Sequence, residues 1–269
     1  MKKVNLLPNL ITAFGLACGL FVIFRAFTQV AHVSTYHLLY TSALLLLLTA
    51  LADVLDGAVA RLMHFESEFG ALFDSLADAI SFGVAPAVLV LIALDLQPKT
   101  FLYFCSITAA LLYSICGVLR LVRYNVKDTK TDVRKNFSGF PIPAAAGAVL
   151  SANLFLASPI ADDWFAPSNE LRSWILIGAL SFIGLMMVSK IRFPSLKSLQ
   201  IKVRSIYLVC FTALGALLLL YSLLHYFSLL LLIVNWGYLL IGCILTFARL
   251  LAGKKSSALK DFEPEKDDE

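Results

Sequence analysis

The sequence predicts an all-α, polytopic membrane helix bundle of about eight transmembrane helices. Of the 269 residues, 59% are apolar and only 15% are charged, whereas soluble domains are about 45–50% apolar and about 25% charged. The apolar residues form blocks of about 17 to 25, the length of a helix that crosses about 30 Å of hydrocarbon. The formal net charge of +4 and the high apolar content exclude a disordered or nucleic-acid-binding chain.

The candidate spans follow one another closely along the chain. In order, they cover residues 9–28, 37–61, 69–94, 101–123, 142–160, 173–189, 206–223 and 228–250. The first follows two lysines and lacks a clear small-residue cleavage site, so we expect it to remain as a helix and not to be removed as a signal peptide. The connection between spans two and three is short, whereas the connections after spans four and six are long and basic.

The basic residues indicate the orientation of these spans. With the N-terminus in the cytoplasm, nineteen of the 22 lysines and arginines fall on the cytoplasmic side, and only Arg25, Lys99 and Arg172 lie opposite. This bias satisfies the positive-inside rule at every loop. We therefore expect both termini in the cytoplasm, with the polar tail 253–269 partly disordered. The five cysteines lack the spacing of a zinc or redox motif and are expected to be reduced packing residues.

The acidic residues are concentrated in one region, since six of the eighteen lie between Asp53 and Asp78. Four of them fall within the predicted ends of spans two and three, where ionisable groups are costly and usually functional. Asp53 and Asp56 are spaced i, i+3, and Asp74 and Asp78 are spaced i, i+4, so each pair projects from one helical face. The short connection makes the two helices antiparallel neighbours. The four carboxylates should therefore meet at the cytoplasmic membrane boundary.

Four carboxylates in a small volume repel one another, so they must either hold protons or bind divalent cations. Oxygen ligands without nearby cysteine favour magnesium, manganese or calcium over zinc, and His64 is expected to be a surface loop residue. Helix caps or salt bridges with Arg61 would explain only one or two of the carboxylates. A carboxylate-based cation transporter is a stronger alternative, but it predicts acids near mid-bilayer and discontinuous helices.

The same carboxylates carry a family resemblance. From residue 53 the chain reads D-V-L-D-G-A-V-A-R, then eight residues, then G-A-L-F-D-S-L-A-D. This segment resembles the signature of the CDP-alcohol phosphotransferases, D-x2-D-G-x2-A-R-x8-G-x3-D-x3-D, at every fixed position. Those positions are Asp53, Asp56, Gly57, Ala60, Arg61, Gly70, Asp74 and Asp78. The resemblance implies a homodimer with a six-helix catalytic core over residues 1–190, two additional helices over 191–252 and the tail 253–269.

Members of this family transfer a phosphatidyl or similar group from a CDP-linked donor to an alcohol and release CMP. Four further segments resemble the integral-membrane phosphatidylserine synthases of bacteria and archaea: residues 8–12, 81–86, 120–125 and 139–144. The third usually reads R-L-A-R-F-N in that branch, so Val122 and Tyr124 depart mildly from it. The resemblance implies that CDP-diacylglycerol and L-serine react at the cytoplasmic face of a bacterial inner membrane, among membrane lipids.

The resemblance also implies the metal ligands and the base. Asp53, Asp56 and Asp74 would hold two divalent cations, Mg²⁺ or Mn²⁺, with Ca²⁺ as a non-productive occupant. Asp78 would contribute to the second metal and accept the serine hydroxyl proton as general base. CDP-diacylglycerol would contact Asn9, Thr12, Asp56, Gly57, Ala60, Arg61 and Gly70. Serine or phosphate would contact Ser81, Arg120, Arg123, Asn125 and Ser138.

Several of these residues also have simpler interpretations. Asn9 begins the first span, where helix N–H groups favour an anion, but Asn9 also suits an N-cap. Arg61 would pair with a phosphate or the aspartates, or extend to lipid headgroups. Arg120 and Arg123 either anchor span four by the positive-inside rule or bind the donor phosphate or the serine carboxylate.

The acceptor also has alternatives. Glycerol 3-phosphate or inositol phosphate would bring an extra phosphate and require a basic pocket, which the run from Lys127 to Lys135 offers, although this run is also suited to anionic lipid headgroups. No histidine stands in a His-x-Lys pair. This argues against the unrelated phospholipase-D-like serine synthases, which use a histidine nucleophile.

Overall fold

The computed structural model describes residues 6–28, 34–62, 68–128, 139–189 and 226–252, and within these ranges every regular element is helical. The prediction of an all-α bundle is therefore confirmed. The elements are α1 (Leu6–Phe27), α2 (Thr35–Leu62), α3 (Glu68–Asp78), a π-helical segment (Ala79–Val84), α4 (Ala85–Leu94), α5 (Phe101–Asp128), α6 (Ile142–Leu156), α7 (Pro159–Phe165), α8 (Asn169–Val188) and α9 (Phe227–Ala252).

Among the described residues, six helical stretches are long and apolar enough to cross a membrane, or seven if the bent pair α6 and α7 forms one span. They match seven of the eight predicted spans. The predicted span 206–223, Cys210 and the tail 253–269 lie outside the described residues, and the other four cysteines are free.

Two features of these spans differ from the prediction. The fifth span bends by 62° between α6 and α7, at Ser158 and Pro159, because a proline interrupts the helical hydrogen-bond pattern and the residue before it favours an extended backbone. Ser158 has such a backbone, with φ −84° and ψ 150°. The third span contains the π-helical segment, which lies directly after Asp78.

The π-helical segment is explained by Pro86 and by two side chains of α5. Pro86 has no N–H, so it cannot donate to the carbonyl of Phe82 four residues earlier. The hydroxyl of Tyr113, a fully buried residue, donates to Phe82 O at 2.9 Å instead, and Ser114 Oγ donates to Gly83 O at 2.8 Å. Helix α5 therefore satisfies the backbone groups that the wider helical turn leaves unpaired.

Helix α6 lies at the centre of the bundle and contacts α2, α4, α8 and α9. Its buried residues include Ala145, Ala146, Ala148 and Val149. Such small side chains allow neighbouring helices to approach closely, which is the main source of attraction between helices in lipid. Helix α6 is therefore surrounded by these four neighbouring helices.

Helix α1 packs against α2 and the π-helical segment through two glycines. A Cβ atom at Gly15 would meet Thr49 Cγ2 at 3.6 Å and Ala52 Cβ at 3.7 Å, which are ordinary contacts. A Cβ atom at Gly19 would overlap the Ser81 hydroxyl and lie 2.8 Å from Ser81 Cβ and 3.0 Å from Ser81 Cα. Gly19 is therefore required for α1 to approach the π-helical segment.

These contacts predict that replacing glycine by alanine has different effects at Gly15 and at Gly19, which lie one turn apart on α1. Gly19→Ala should lower the free energy of unfolding by about 1–3 kcal/mol, the usual cost of overpacking. Gly15→Ala should leave it unchanged or raise it slightly, since alanine favours the helix. Unfolding in detergent micelles, followed by tryptophan fluorescence, measures both variants. Equal stability of the two would contradict the close approach at Gly19.

Candidate active site

The four predicted carboxylates come from neighbouring helices and meet in one place. Asp53 and Asp56 lie on α2, and Asp74 and Asp78 lie on α3. One carboxylate oxygen from each of Asp53, Asp56 and Asp74 lies within 4.8 Å of the other two. Asp78 lines the same cavity and interacts electrostatically with all three. The predicted clustering is therefore observed.

Helix α1 closes the cluster from a third side. Thr12 Oγ1 donates a hydrogen bond of 2.6 Å to Asp56 Oδ2, and the Asp56 side chain is only 6% exposed. The Asp53 and Asp74 carboxyl groups interact directly, with one oxygen of each within 4.8 Å of the other. A hydroxyl donor and a carboxyl contact offset part of the cost of bringing these groups out of water.

A small cavity lies between these side chains. Its volume is about 10 Å³, close to the minimum of about 10–15 Å³ that one water molecule needs. The lining residues are Thr12, Gly15, Leu16, Thr49, Asp53, Asp56, Asp74, Ala77, Asp78 and Ser81. Its innermost part has room for about one small ion or water molecule, and a second ion, a nucleotide or a lipid headgroup would lie toward its open side.

Ser81 places one more oxygen in this cavity. Its side chain is fully buried, and its Oγ has no hydrogen-bond partner among the described residues. A buried hydroxyl without a partner is rare, because its removal from water costs free energy that nothing repays. The backbone of the π-helical segment places this hydroxyl at the cavity wall, and the absence of a side chain at Gly19 leaves room for it.

The chemistry of this donor set fits a hard divalent cation. The described residues that line the cavity offer carboxylate and hydroxyl oxygens and include no histidine or cysteine, and magnesium, manganese and calcium prefer oxygen ligands. An ion there would offset part of the negative charge of the carboxylates, and the Ser81 hydroxyl without a described partner lines the same cavity. The described residues can thus hold at least one such ion through Asp53, Asp56 and Asp74.

The two arginines of α5 have different environments. Arg120 interacts electrostatically with Asp78. Arg123, one turn further along, directs Nη1 toward Val188 O at 3.4 Å, so it contacts the end of α8. Of the two, Arg120 is the arginine that the structure brings to the carboxylates, and an anion-binding role for either remains a prediction.

The other predicted residues lie around the cluster or outside the described residues. Gly57 and Gly70 lie on α2 and α3, and a Cβ atom at Gly57 would meet no described atom within 4 Å. The predicted N-cap at Asn9 is wrong, because α1 begins at Leu6 and Asn9 is its fourth residue. The structure does not describe Ser138, the side chains of Ala60, Arg61 and Asn125, or most of the basic run 127–135.

Sequence analysis missed three residues that position the site. Gly19 makes room for Ser81, and Tyr113 and Ser114 support the π-helical segment that carries it. The signal was present in part, because Pro86 within a predicted span implies unpaired carbonyl groups that need a polar partner. Which helix would supply that partner depends on tertiary packing.

Comparison with known proteins agrees with the geometry. The family model for CDP-alcohol phosphatidyltransferases matches residues 5–185. A protein of Bacillus subtilis is 34% identical over 195 residues, which cover 72% of this chain and 93% of the relative. A protein of Helicobacter pylori strain J99 is 32% identical over 206 residues, 74% of this chain and 76% of the relative. A protein of Methanocaldococcus jannaschii is 29% identical over 195 residues, which cover 72% of this chain and 76% of the relative. All three are named CDP-diacylglycerol–serine O-phosphatidyltransferase.

The donor set predicts which residues control metal affinity. Asp53→Asn, Asp56→Asn and Asp74→Asn should each weaken Mn²⁺ binding by about tenfold or more, because even partners outside the ligand set cause losses of that size. Calorimetric titration of the purified protein with MnCl₂ measures the affinity. Asp163→Asn, an exposed position on α7, is the control and should bind as the unmodified protein does. Unchanged affinity in all three cluster variants would show that the ion binds elsewhere.

Proposed function

Because the chain belongs to the CDP-alcohol phosphatidyltransferase family, we propose that it transfers the phosphatidyl group of CDP-diacylglycerol to the hydroxyl of L-serine. The products are phosphatidylserine and CMP. The observation that carries this proposal is the meeting of the four aspartates in one cavity. The cation-transporter alternative does not explain the match of the family model over residues 5–185.

Serine is the acceptor that the relatives favour. The three relatives described above are named for serine, and the bacterial pair align over at least three quarters of their own lengths with more than 30% identity. An acceptor such as glycerol 3-phosphate would bring a second phosphate and need further basic residues. The serine carboxylate needs only one cationic partner, for which the site offers Arg120 beside Asp78.

The reaction needs the negative charge of the donor pyrophosphate to be neutralised, since phosphoryl transfer depends mainly on positioning and charge stabilisation. When bound to Asp53, Asp56, Asp74 and Asp78, two divalent cations, Mg²⁺ or Mn²⁺, would supply that neutralisation. Thr12 holds the Asp56 carboxylate through its 2.6 Å hydrogen bond. No described atom lies within 4 Å of a Cβ placed at Gly57, which would leave room for the nucleotide along α2.

Asp78 is the proposed general base. Its carboxylate accepts the hydroxyl proton of serine as the serine oxygen forms a bond to the phosphatidyl phosphorus. The bond from that phosphorus to the phosphate oxygen of CMP then breaks, and CMP leaves. Asp78 suits this role because it lies within the cluster but outside the three carboxylates whose oxygens lie closest together.

The proposed enzyme is an integral membrane homodimer whose site opens to the cytoplasm of a bacterial cell. The distribution of basic residues supports this orientation, because it places the connection between α2 and α3 inside. Both substrates fit this location, since serine is water-soluble and CDP-diacylglycerol is anchored in the bilayer. Chemical cross-linking in native membranes tests the homodimer.

An assay of the purified protein tests the reaction. The protein is incubated with CDP-diacylglycerol, MgCl₂ or MnCl₂, and one labelled alcohol at a time: serine, glycerol 3-phosphate or inositol phosphate. We expect phosphatidylserine and CMP in equal amounts with serine. Product formed only with a phosphorylated acceptor would assign the chain to another branch of the family. Failure to release CMP with any acceptor would exclude this enzyme class.

Replacement of the base separates chemistry from binding. Asp78→Asn should lower kcat by about 10²–10⁴, the usual contribution of general acid–base catalysis, because the amide cannot accept the proton. CDP-diacylglycerol should still bind, and calorimetry with the lipid in mixed micelles measures that binding. Asp163→Asn serves as control, with kcat expected to be unchanged. Near-normal turnover by Asp78→Asn would refute the assignment of the base.

A further inference from the structure

Three of the described residues that line the cavity between the carboxylates carry hydroxyl groups. Thr12 Oγ1 donates to Asp56 Oδ2 at 2.6 Å. Thr49 Oγ1 donates to Leu45 O at 3.0 Å, one turn earlier on its own helix. The Ser81 hydroxyl has no hydrogen-bond partner among the described residues, although its side chain is fully buried. Of the three hydroxyls, that of Ser81 is therefore the one left to bind something else in the cavity.

Packing fixes the position of the Ser81 side chain. Its Cα and Cβ atoms lie 3.0 Å and 2.8 Å from the place where a Cβ atom of Gly19 would stand, so α1 lies directly against it. Hydrogen bonds from Tyr113 and Ser114 hold two backbone carbonyls of the π-helical segment that carries Ser81. The hydroxyl is thus kept at the cavity wall by its surroundings and not by a hydrogen bond of its own.

The size of the cavity limits what this hydroxyl can meet. A volume of about 10 Å³ has room for about one small ion or water molecule, and it is too small for the phosphate or carboxylate group of a substrate. An ion there has no room for a full shell of water, so oxygens of the wall must bind it on its buried side. A hydroxyl adds such an oxygen without adding to the repulsion among Asp53, Asp56 and Asp74.

From this arrangement we propose that the Ser81 hydroxyl is a ligand of the divalent cation, together with carboxylate oxygens of Asp53, Asp56 and Asp74. The hydroxyl keeps its proton and binds through its oxygen as a neutral ligand. The inference rests on the proposed function for the presence of the cation and names one more of its ligands. It differs from the contact with serine or phosphate that the sequence predicts for Ser81, because neither group fits the buried part of the cavity.

Metal titration without substrate tests this role. Ser81→Ala should weaken Mn²⁺ binding by about tenfold, the lower end of the losses seen when groups around a bound metal are removed. Calorimetry with MnCl₂ measures the affinity. The melting temperature of the metal-free variant should stay the same or rise, because the change removes a buried hydroxyl without a described partner. Unchanged Mn²⁺ affinity in Ser81→Ala would overturn the proposal.

Ser151→Ala is the matched control for this titration. Ser151 is also fully buried, but its hydroxyl donates to Ala148 O at 3.0 Å on its own helix, and it does not line the cavity. The control variant should bind Mn²⁺ as the unmodified protein does. An equal loss of Mn²⁺ affinity in both variants would show that any buried serine has this effect, and would overturn the assignment of Ser81.

Replacement of the oxygen by sulfur tests direct coordination. Ser81→Cys should weaken Mn²⁺ binding and strengthen Cd²⁺ binding, because a thiolate is a soft ligand that prefers softer metals. A Cd²⁺–thiolate charge-transfer band should then appear in the ultraviolet spectrum. Ser75→Cys is the control, since Ser75 follows Asp74 in sequence but donates to Ala71 O at 3.0 Å and does not line the cavity. Equal Cd²⁺ affinity of the two cysteine variants would refute direct coordination.

These titrations contain no substrate, so their results are independent of the acceptor. Loss of Mn²⁺ affinity in Ser81→Ala, together with failure of the serine assay, would refute the proposed acceptor and support Ser81 as a ligand. Unchanged affinity, together with formation of phosphatidylserine by the unmodified protein, would refute the ligand and leave the proposed function intact.

Discussion

The structure depends on one constraint: several carboxylates share a small volume within an apolar bundle. Bringing charges out of water is costly unless each finds a partner, and oxygens of Asp53, Asp56 and Asp74 lie within 4.8 Å of one another. The surrounding elements reduce this cost. Helix α1 supplies the Thr12 hydroxyl, and α5 supplies the positive charge of Arg120. Divalent cations would offset most of the remaining negative charge, which gives a reason for four aspartates in a chain with only 15% charged residues.

The π-helical segment follows from the same constraint. Irregular backbone within a membrane protein is tolerated only where other groups satisfy it, and here Tyr113 and Ser114 do so from α5. Their hydrogen bonds couple α5, which carries Arg120, to the span that carries Asp78 and Ser81. π-Helical turns occur frequently at functional sites because they reorient side chains within an otherwise regular helix. The irregularity and the site therefore depend on the same pair of helices.

The parts of the molecule that local sequence determines were predictable. Seven of the eight predicted spans match described helices, because the length of an apolar run is a local property. The meeting of the aspartates was predictable because their spacing fixes their helical faces. The contact of Gly19 with Ser81 and the hydrogen bonds from Tyr113 and Ser114 to the π-helical segment were not. Each depends on residues distant in the sequence, and no periodicity within one helix reveals which distant helix will pack there.

The surface around the site suits both proposed substrates, of which one is anchored in the bilayer and the other is dissolved in water. Val54 and Leu55 lie between the aspartates of α2, and Leu72 and Leu76 flank Asp74 on α3; these four side chains are 56–65% exposed. In a membrane span, exposed apolar side chains such as these can face the hydrocarbon of the bilayer. The acyl chains of CDP-diacylglycerol can therefore stay in the bilayer beside α2 and α3, while its pyrophosphate reaches the carboxylates between them. A cavity of about 10 Å³ cannot hold that headgroup, so in the proposed reaction the headgroup lies at the open side of the cavity, where serine reaches it from the water.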